Sequence, residues 1–173
     1  MKRILIYVVL LIQMVIIITF VFQFERIDVL GSEIKVTTKE KNEHDIYDFP
    51  IDDDVYVEYD ISTIPDENWS GSSNLNYGER VFVLLEKNND GIFEVTEGTH
   101  KNISNKSEDS IVVPATYGYY DEREKIHEIN YKFQRLNKIN RFGSFNYHDD
   151  LVVTLKVTKW GQYKVIDISI LDE

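Results

Sequence analysis

Cysteine is absent from all 173 residues, which excludes disulfides, thiolate metal sites and attachment through a lipid-modified cysteine. Stability therefore has to come from packing. Only three prolines occur, and no internal repeat or long low-complexity tract breaks the sequence. Basic residues are outnumbered: apart from Lys2 and Arg3, every charged residue lies beyond residue 23, where 17 basic residues face 30 acidic ones for a formal charge of −13. A field of that sign repels phosphate backbones, so nucleic acid is excluded as a natural partner. The same field predicts that the body stands clear of an anionic lipid surface. Outside the first two dozen residues, no window carries a capped helical period.

What is present begins with residues 4–22, ILIYVVLLIQMVIIITFVF, a nineteen-residue apolar run broken only by Gln13. As a helix it spans about 28 Å at 1.5 Å per residue, close to the hydrocarbon thickness of a bilayer. A secretory leader has a shorter apolar core ending in small residues, whereas this run is followed by Gln23-Phe24-Glu25-Arg26. The expectation is a retained transmembrane helix, with residues 1–23 as cytoplasmic tip and anchor and 24–173 as one β-rich domain. Lys2 and Arg3 flank one side and Arg26 is offset by Glu25, so the positive-inside bias places the short end in the cytoplasm and the body outside it. The bilayer is thus the expected partner of residues 4–22. Gln13 is the candidate contact for a neighbouring membrane helix.

Eleven tyrosines, nine phenylalanines and abundant isoleucine and valine suit strands. Ile34–Thr37 alternates, and Val55, Val57, Tyr59 and Ile61 share one face of a second run. Residues 62–79, with Pro65, Gly71 and Gly78, have the composition of a long surface loop. Arg80–Leu85 reads as a buried strand leading through Asn88-Asn89-Asp90-Gly91 into Ile92–Val95, a hairpin. Ile111–Val113 is a strand that Pro114 ends or confines to an edge. Lys125–Phe133 places His127, Ile129, Tyr131 and Phe133 on one face. Leu151–Val157 and Tyr163–Ile168, joined by Lys159-Trp160-Gly161-Gln162, form a closing hairpin. The predicted class is mainly β: one N-terminal transmembrane helix followed by an antiparallel β-sandwich or open β-barrel.

In order, the anchor, Gly31, the segment Asp52-Asp53-Asp54-Val55-Tyr56-Val57-Glu58-Tyr59, the stretch Tyr131-Lys132-Phe133-Gln134-Arg135 and the hairpin resemble a family of small bacterial membrane-anchored proteins known by its GDYXXLXY motif. Asp53 and Tyr59 match the motif, and Val57 replaces its leucine. Asp52 and Asp54 replace the glycine and first tyrosine, and no proline and glutamate follow Arg135. The resemblance implies membrane attachment without known catalysis, with Gly31, Asp53, Val57, Tyr59, Tyr131 and Arg135 as structural positions.

Other constellations are weaker as chemistry. Glu86 to Glu97 has the oxygen spacing of a calcium loop, but strand patterns flank it and Asp90-Gly91 is a hairpin turn. Asp45, Asp48, Asp52, Asp53 and Asp54 read as a solvated turn. His127, on an apolar face, reads as a satisfied core or edge histidine, and His148-Asp149-Asp150 has no assignable nucleophile. A membrane-bound signal peptidase, which the anchor and strands resemble loosely, needs a serine followed by methionine, yet the methionines are Met1 and Met14. Tyr117, Tyr119 and Tyr120 form a candidate aromatic platform for sugar or peptide. No catalytic residue, cofactor or metal is assigned. The leading expectation is a non-enzymatic accessory subunit of a membrane complex, with a cell-wall ligand-binding module or a divergent hydrolase as rival classes.

Overall fold

Alternating apolar residues put one face of each strand against a shared core. The computed structural model describes residues 2–39, 54–72, 74–104, 107–137 and 150–171, excepting the side chains of 2–5, 20–26, 54–56 and 135–137. In chain order the elements are α1 (Lys2–Leu30), β1 (Ser32–Thr37), β2 (Asp54–Tyr56), β3 (Thr63–Pro65), β4 (Arg80–Lys87), β5 (Phe93–Thr99), β6 (Ser110–Asp121), β7 (Ile126–Asn130), β8 (Arg135–Asn137), β9 (Leu151–Val157) and β10 (Tyr163–Ile170). Single 3₁₀ turns occupy Asp60–Ser62, Asp66–Asn68 and Lys132–Gln134.

All strand pairs are antiparallel. One sheet has the order β3-β7-β6-β4-β5, a second β1-β9-β10, and β2 pairs β8 alone. The five-stranded sheet curls until its edges nearly meet: Trp69, just after β3, makes a parallel bridge to Gly98 of β5, and Ser70 N–H donates to the Gly98 carbonyl at 2.9 Å. The result is a nearly closed, barrel-like sheet. Its interior, with Ile64, Val81, Val83, Leu85, Val113 and Ile129, joins Ile34, Val36, Val153 and Leu155 of the smaller sheet in one core. That shared core is why neither sheet needs a disulfide.

Both predicted hairpins are present, β4–β5 and β9–β10. At the first turn the Asn88 Oδ1 accepts the N–H groups of Asp90 and Ile92 at 3.0 Å each, closing an Asx-type turn. His127, Ile129, Tyr131 and Phe133 are all buried, as their alternation requires.

Three expectations need correction. The predicted 55–61 strand stops at Tyr56, because the chain bends into the 3₁₀ turn at Asp60, although Val57, Tyr59 and Ile61 still bury together. The 125–133 strand likewise ends at Asn130 and passes into the turn at Lys132. Residues 62–79 are not simply a surface loop, since they contain β3 with Ile64 fully buried. Of the two readings of Pro114, strand end or local edge, the second holds: β6 runs twelve residues through it. The proline is accommodated because β6 pairs β4 over 110–116 but meets β7 only from Thr116 onward, so at Pro114 one side of the strand is locally an edge.

The helix α1 runs past residue 23 to Leu30 without a break. Its described side chains, residues 6–19, are all exposed, and they cover about 21 Å of helix. Among the described residues, no helix is long and apolar enough to cross a membrane.

Barrel closure supplies a test. A Cβ at Gly98 would lie 2.6 Å from Ile64 Cδ1 and 2.7 Å from Trp69 Cε3, closer than atoms pack. Gly98→Ala should destabilise the domain by about 1–3 kcal/mol, the usual range for overpacking. Thermal unfolding measures it, and an unchanged Tm would mean that the seam is loose.

Candidate functional site

Two clusters of polar and aromatic side chains lie where strands meet. The first is built by the segments 57–62 and 131–134. Each is too irregular to satisfy its own backbone, so side chains take over. The Tyr59 hydroxyl donates to the Phe133 carbonyl at 3.1 Å, and the Tyr131 hydroxyl donates to the Ile61 carbonyl at 2.9 Å. Gln134 completes the exchange: its Oε1 accepts the Tyr131 N–H at 2.9 Å, and its Nε2 donates to Ser62 Oγ at 3.0 Å. The Ser62 oxygen also accepts the Tyr59 N–H. The Phe133 ring lies 5.4 Å from Tyr59, 4.9 Å from Tyr131 and 5.9 Å from Tyr163. The two tyrosines therefore clasp the segments reciprocally, each holding a carbonyl of the other strand's turn.

The second cluster centres on His127 of β7, which is only 2 % exposed. Its Nε2 is 3.2 Å from Asp66 Oδ1 and its Nδ1 is 3.1 Å from the Tyr117 hydroxyl. A carboxylate can only accept, so the neutral imidazole carries its proton on Nε2, and Nδ1 accepts from Tyr117. Burial raises the Tyr117 phenol above its ordinary value, which keeps that donor protonated. The Trp69 ring stacks on the imidazole at 4.4 Å, and the Tyr120 ring is tilted at 4.7 Å. A bulge in β6 between Tyr117 and Tyr120 brings both residues to this cluster.

An Asp–His–Tyr line resembles acid–base machinery in composition; here both ring nitrogens are engaged and aromatic rings pack on the imidazole. What this arrangement does is lock β3, β6 and β7 to the closing seam. A cavity of about 350 Å³ lies elsewhere, edged by Thr37, Asp60, Thr63, Asn68, Asn88 and Glu94 among others. Its carboxylates already have partners, Asp60 with the Thr37 hydroxyl and Glu94 with Asn88 Nδ2.

The sequence-predicted positions distribute as follows. Val57, Tyr59 and Tyr131 meet in the tyrosine clasp. Gly31 lies between α1 and β1, where its N–H donates to the Ile27 carbonyl at 2.9 Å and a Cβ would come within 2.4 Å of that oxygen. Arg135 begins β8, paired through its backbone with Tyr56. Asp53 lies outside the described residues, as do His44, Asp45, Asp48, Asp52, His148 and Asp149. Gln13 is exposed on α1. The proposed platform is divided: Tyr117 is buried at 3 % exposure, Tyr120 leans on His127, and Tyr119 projects at 58 %. Tyr117 is removed from any platform because it continues the buried face of Ile111, Val113 and Ala115, and the bulge that follows it puts Tyr119 on the other side. Asp66, Trp69, Ser62 and Gln134 were not anticipated; the one available signal was that a histidine on an apolar face needs two polar partners.

The clasp carries a pH dependence. Burial pushes the Tyr59 phenol above its ordinary value, with the Tyr163 phenol adding to it, and burial alone does the same for Tyr131. Unfolded tyrosines ionise near pH 10 while these remain protonated when folded, so stability is full below about pH 10 and falls as pH rises through that range. Tm should drop above about pH 10, less steeply in Tyr59→Phe and Tyr131→Phe. A wild-type slope equal to that of both variants would refute it.

No protein-family model, curated protein or solved structure matches this chain.

Proposed function

We propose that the chain is a single-pass membrane protein whose α1 crosses the bilayer through residues 4–22 and presents a non-enzymatic β domain outside the cytoplasm, as an accessory subunit of a membrane complex. The observation that carries this is the character of α1. Described side chains 6–19 are apolar except Gln13 and Thr19, and all are exposed. The Thr19 hydroxyl bonds back to the Val15 carbonyl at 2.7 Å, which satisfies it without water. A helix apolar on every side belongs in a protein core or in lipid, and the domain's core is already filled by its own strands. With its flanks the apolar run reaches nineteen residues, enough for hydrocarbon. Lys2 and Arg3 favour a cytoplasmic amino end.

Likeness to the GDYXXLXY family supports the same reading, because Val57, Tyr59 and Tyr131 work as scaffold. A structural role for His127 is supported by its covered ring and engaged nitrogens. Gln13 is the proposed point of contact with a partner helix.

Membrane attachment and topology are tested together. The chain should stay in membranes washed with alkaline carbonate, and protease added to intact spheroplasts should remove the body. Release by carbonate would dispose of the anchor; a protected body would reverse the orientation.

A ligand-binding module is favoured by one observation, the projecting Tyr119 ring. On that reading Tyr119→Ala should abolish retention on wall polysaccharide while leaving Tm unchanged. Retention equal to wild type would end it.

A further inference from the structure

The junction between α1 and the sheet fixes what lies beside the membrane. Only Gly31 separates Leu30 from Ser32, so no linker loosens the domain. Ile27 is buried at 7 % exposure. Asp28 binds Lys164 Nζ through both carboxylate oxygens at 2.8 Å, and Lys156 Nζ donates to the Asp28 carbonyl at 2.9 Å. Lys164 holds the Asp28 carboxyl below its ordinary range.

Lys156 and Lys164 are register partners at the turn end of the β9–β10 hairpin. Ser32, the first residue after the junction, pairs with Val157, and Val157 also pairs with Tyr163. The turn at residues 158–162 is therefore at the sheet end where α1 enters. From Asp28 back to Phe22, the end of the apolar run, is about 9 Å along a helix. Lys156 stands one residue before the end of β9, so the turn at 158–162 projects beyond the sheet on the side where α1 enters.

The turn also has the right chemistry. Trp160 is 51 % exposed, and Lys159 Nζ lies over its ring at 5.3 Å. Gly161 packs against Pro114 of β6, so the turn is braced from behind. Leu151–Ile170 carries three lysines and one aspartate, basic in a chain of net charge −11. Tryptophan settles at the headgroup level, and lysine reaches from there to water and phosphate.

We infer that the Lys159-Trp160 turn is a second membrane contact, resting in the phospholipid interface beside α1 and setting the domain's tilt. This rests on α1 being the anchor. It also revises the expectation that the body stands clear of lipid: the turn carrying Lys159 and Trp160 faces the headgroups.

Full-length protein reconstituted in vesicles of phosphatidylcholine and phosphatidylglycerol gives separate readouts. Flotation with the vesicles reports the anchor. Replacing part of the phosphatidylcholine by a lipid brominated near the headgroup reports the turn. Wild-type tryptophan emission should be quenched by about a quarter or more, as expected for a ring at the interface, and Trp160→Phe should lose that quenching, leaving only Trp69. Lys159→Glu should float equally yet show weaker quenching. Flotation with quenching equal in wild type and Trp160→Phe overturns the inference alone. Failure to float overturns the anchor, and the inference with it.

Discussion

The reciprocal tyrosine clasp is the constraint on which the rest of the domain depends. It joins two segments separated by about seventy residues, at the place where strands give way to 3₁₀ turns and leave carbonyls without ladder partners. Each hydroxyl bond is worth about 1 kcal/mol net, but an orphaned buried carbonyl costs more. Removing one phenol therefore loosens both segments. Because Gln134 and Ser62 link the backbones of the same segments, the clasp acts as one unit. A chain without cysteine has here a polar substitute for a covalent staple.

The His127 cluster does the corresponding work at the barrel seam. Trp69 is the shared part: its ring covers the histidine, while its backbone bridges Gly98. Asp66 and Trp69 are brought there by the short turn after β3, so closure of the sheet and burial of the histidine are a single event. This is why a residue set with catalytic composition is best understood as masonry. Its imidazole is oriented by two partners and stacked among aromatic rings, which makes it a good strut.

Where strands follow each other through a tight turn, the alternating pattern was enough to place them. Asn88 to Gly91 and Lys159 to Gln162 announced their hairpins through local turn chemistry, and the apolar face from His127 to Phe133 followed from period two alone. Ile64 was illegible because β3 is three residues long, and so short a strand owes its existence to β7 beside it. Pro114 left strand end and edge open for a related reason: its missing N–H matters only where a neighbour asks for it, and the neighbour's extent is a tertiary fact. Period two carried on from Ile111 would place Tyr117 and Tyr119 on one face; a bulge after Tyr117 parts them, and no periodicity reveals a bulge. Tyr59 and Tyr131 were recognised as structural positions, yet their exchange of carbonyls depends on a contact that only the fold creates.

The junction at Gly31 turns these local results into a property of the whole molecule. A flexible linker would let the domain sample many tilts, and its surface charge alone would then decide which side met the lipid. Here helix and sheet share Asp28: its carbonyl and carboxylate bind two lysines on adjacent strands, and Ile27 is buried beside them. Rotation about the junction would break those bonds and expose Ile27 together. The set of the domain on α1 is thus fixed by packing before electrostatics acts, and a domain that is acidic overall keeps a basic, aromatic turn at the sheet end that α1 enters.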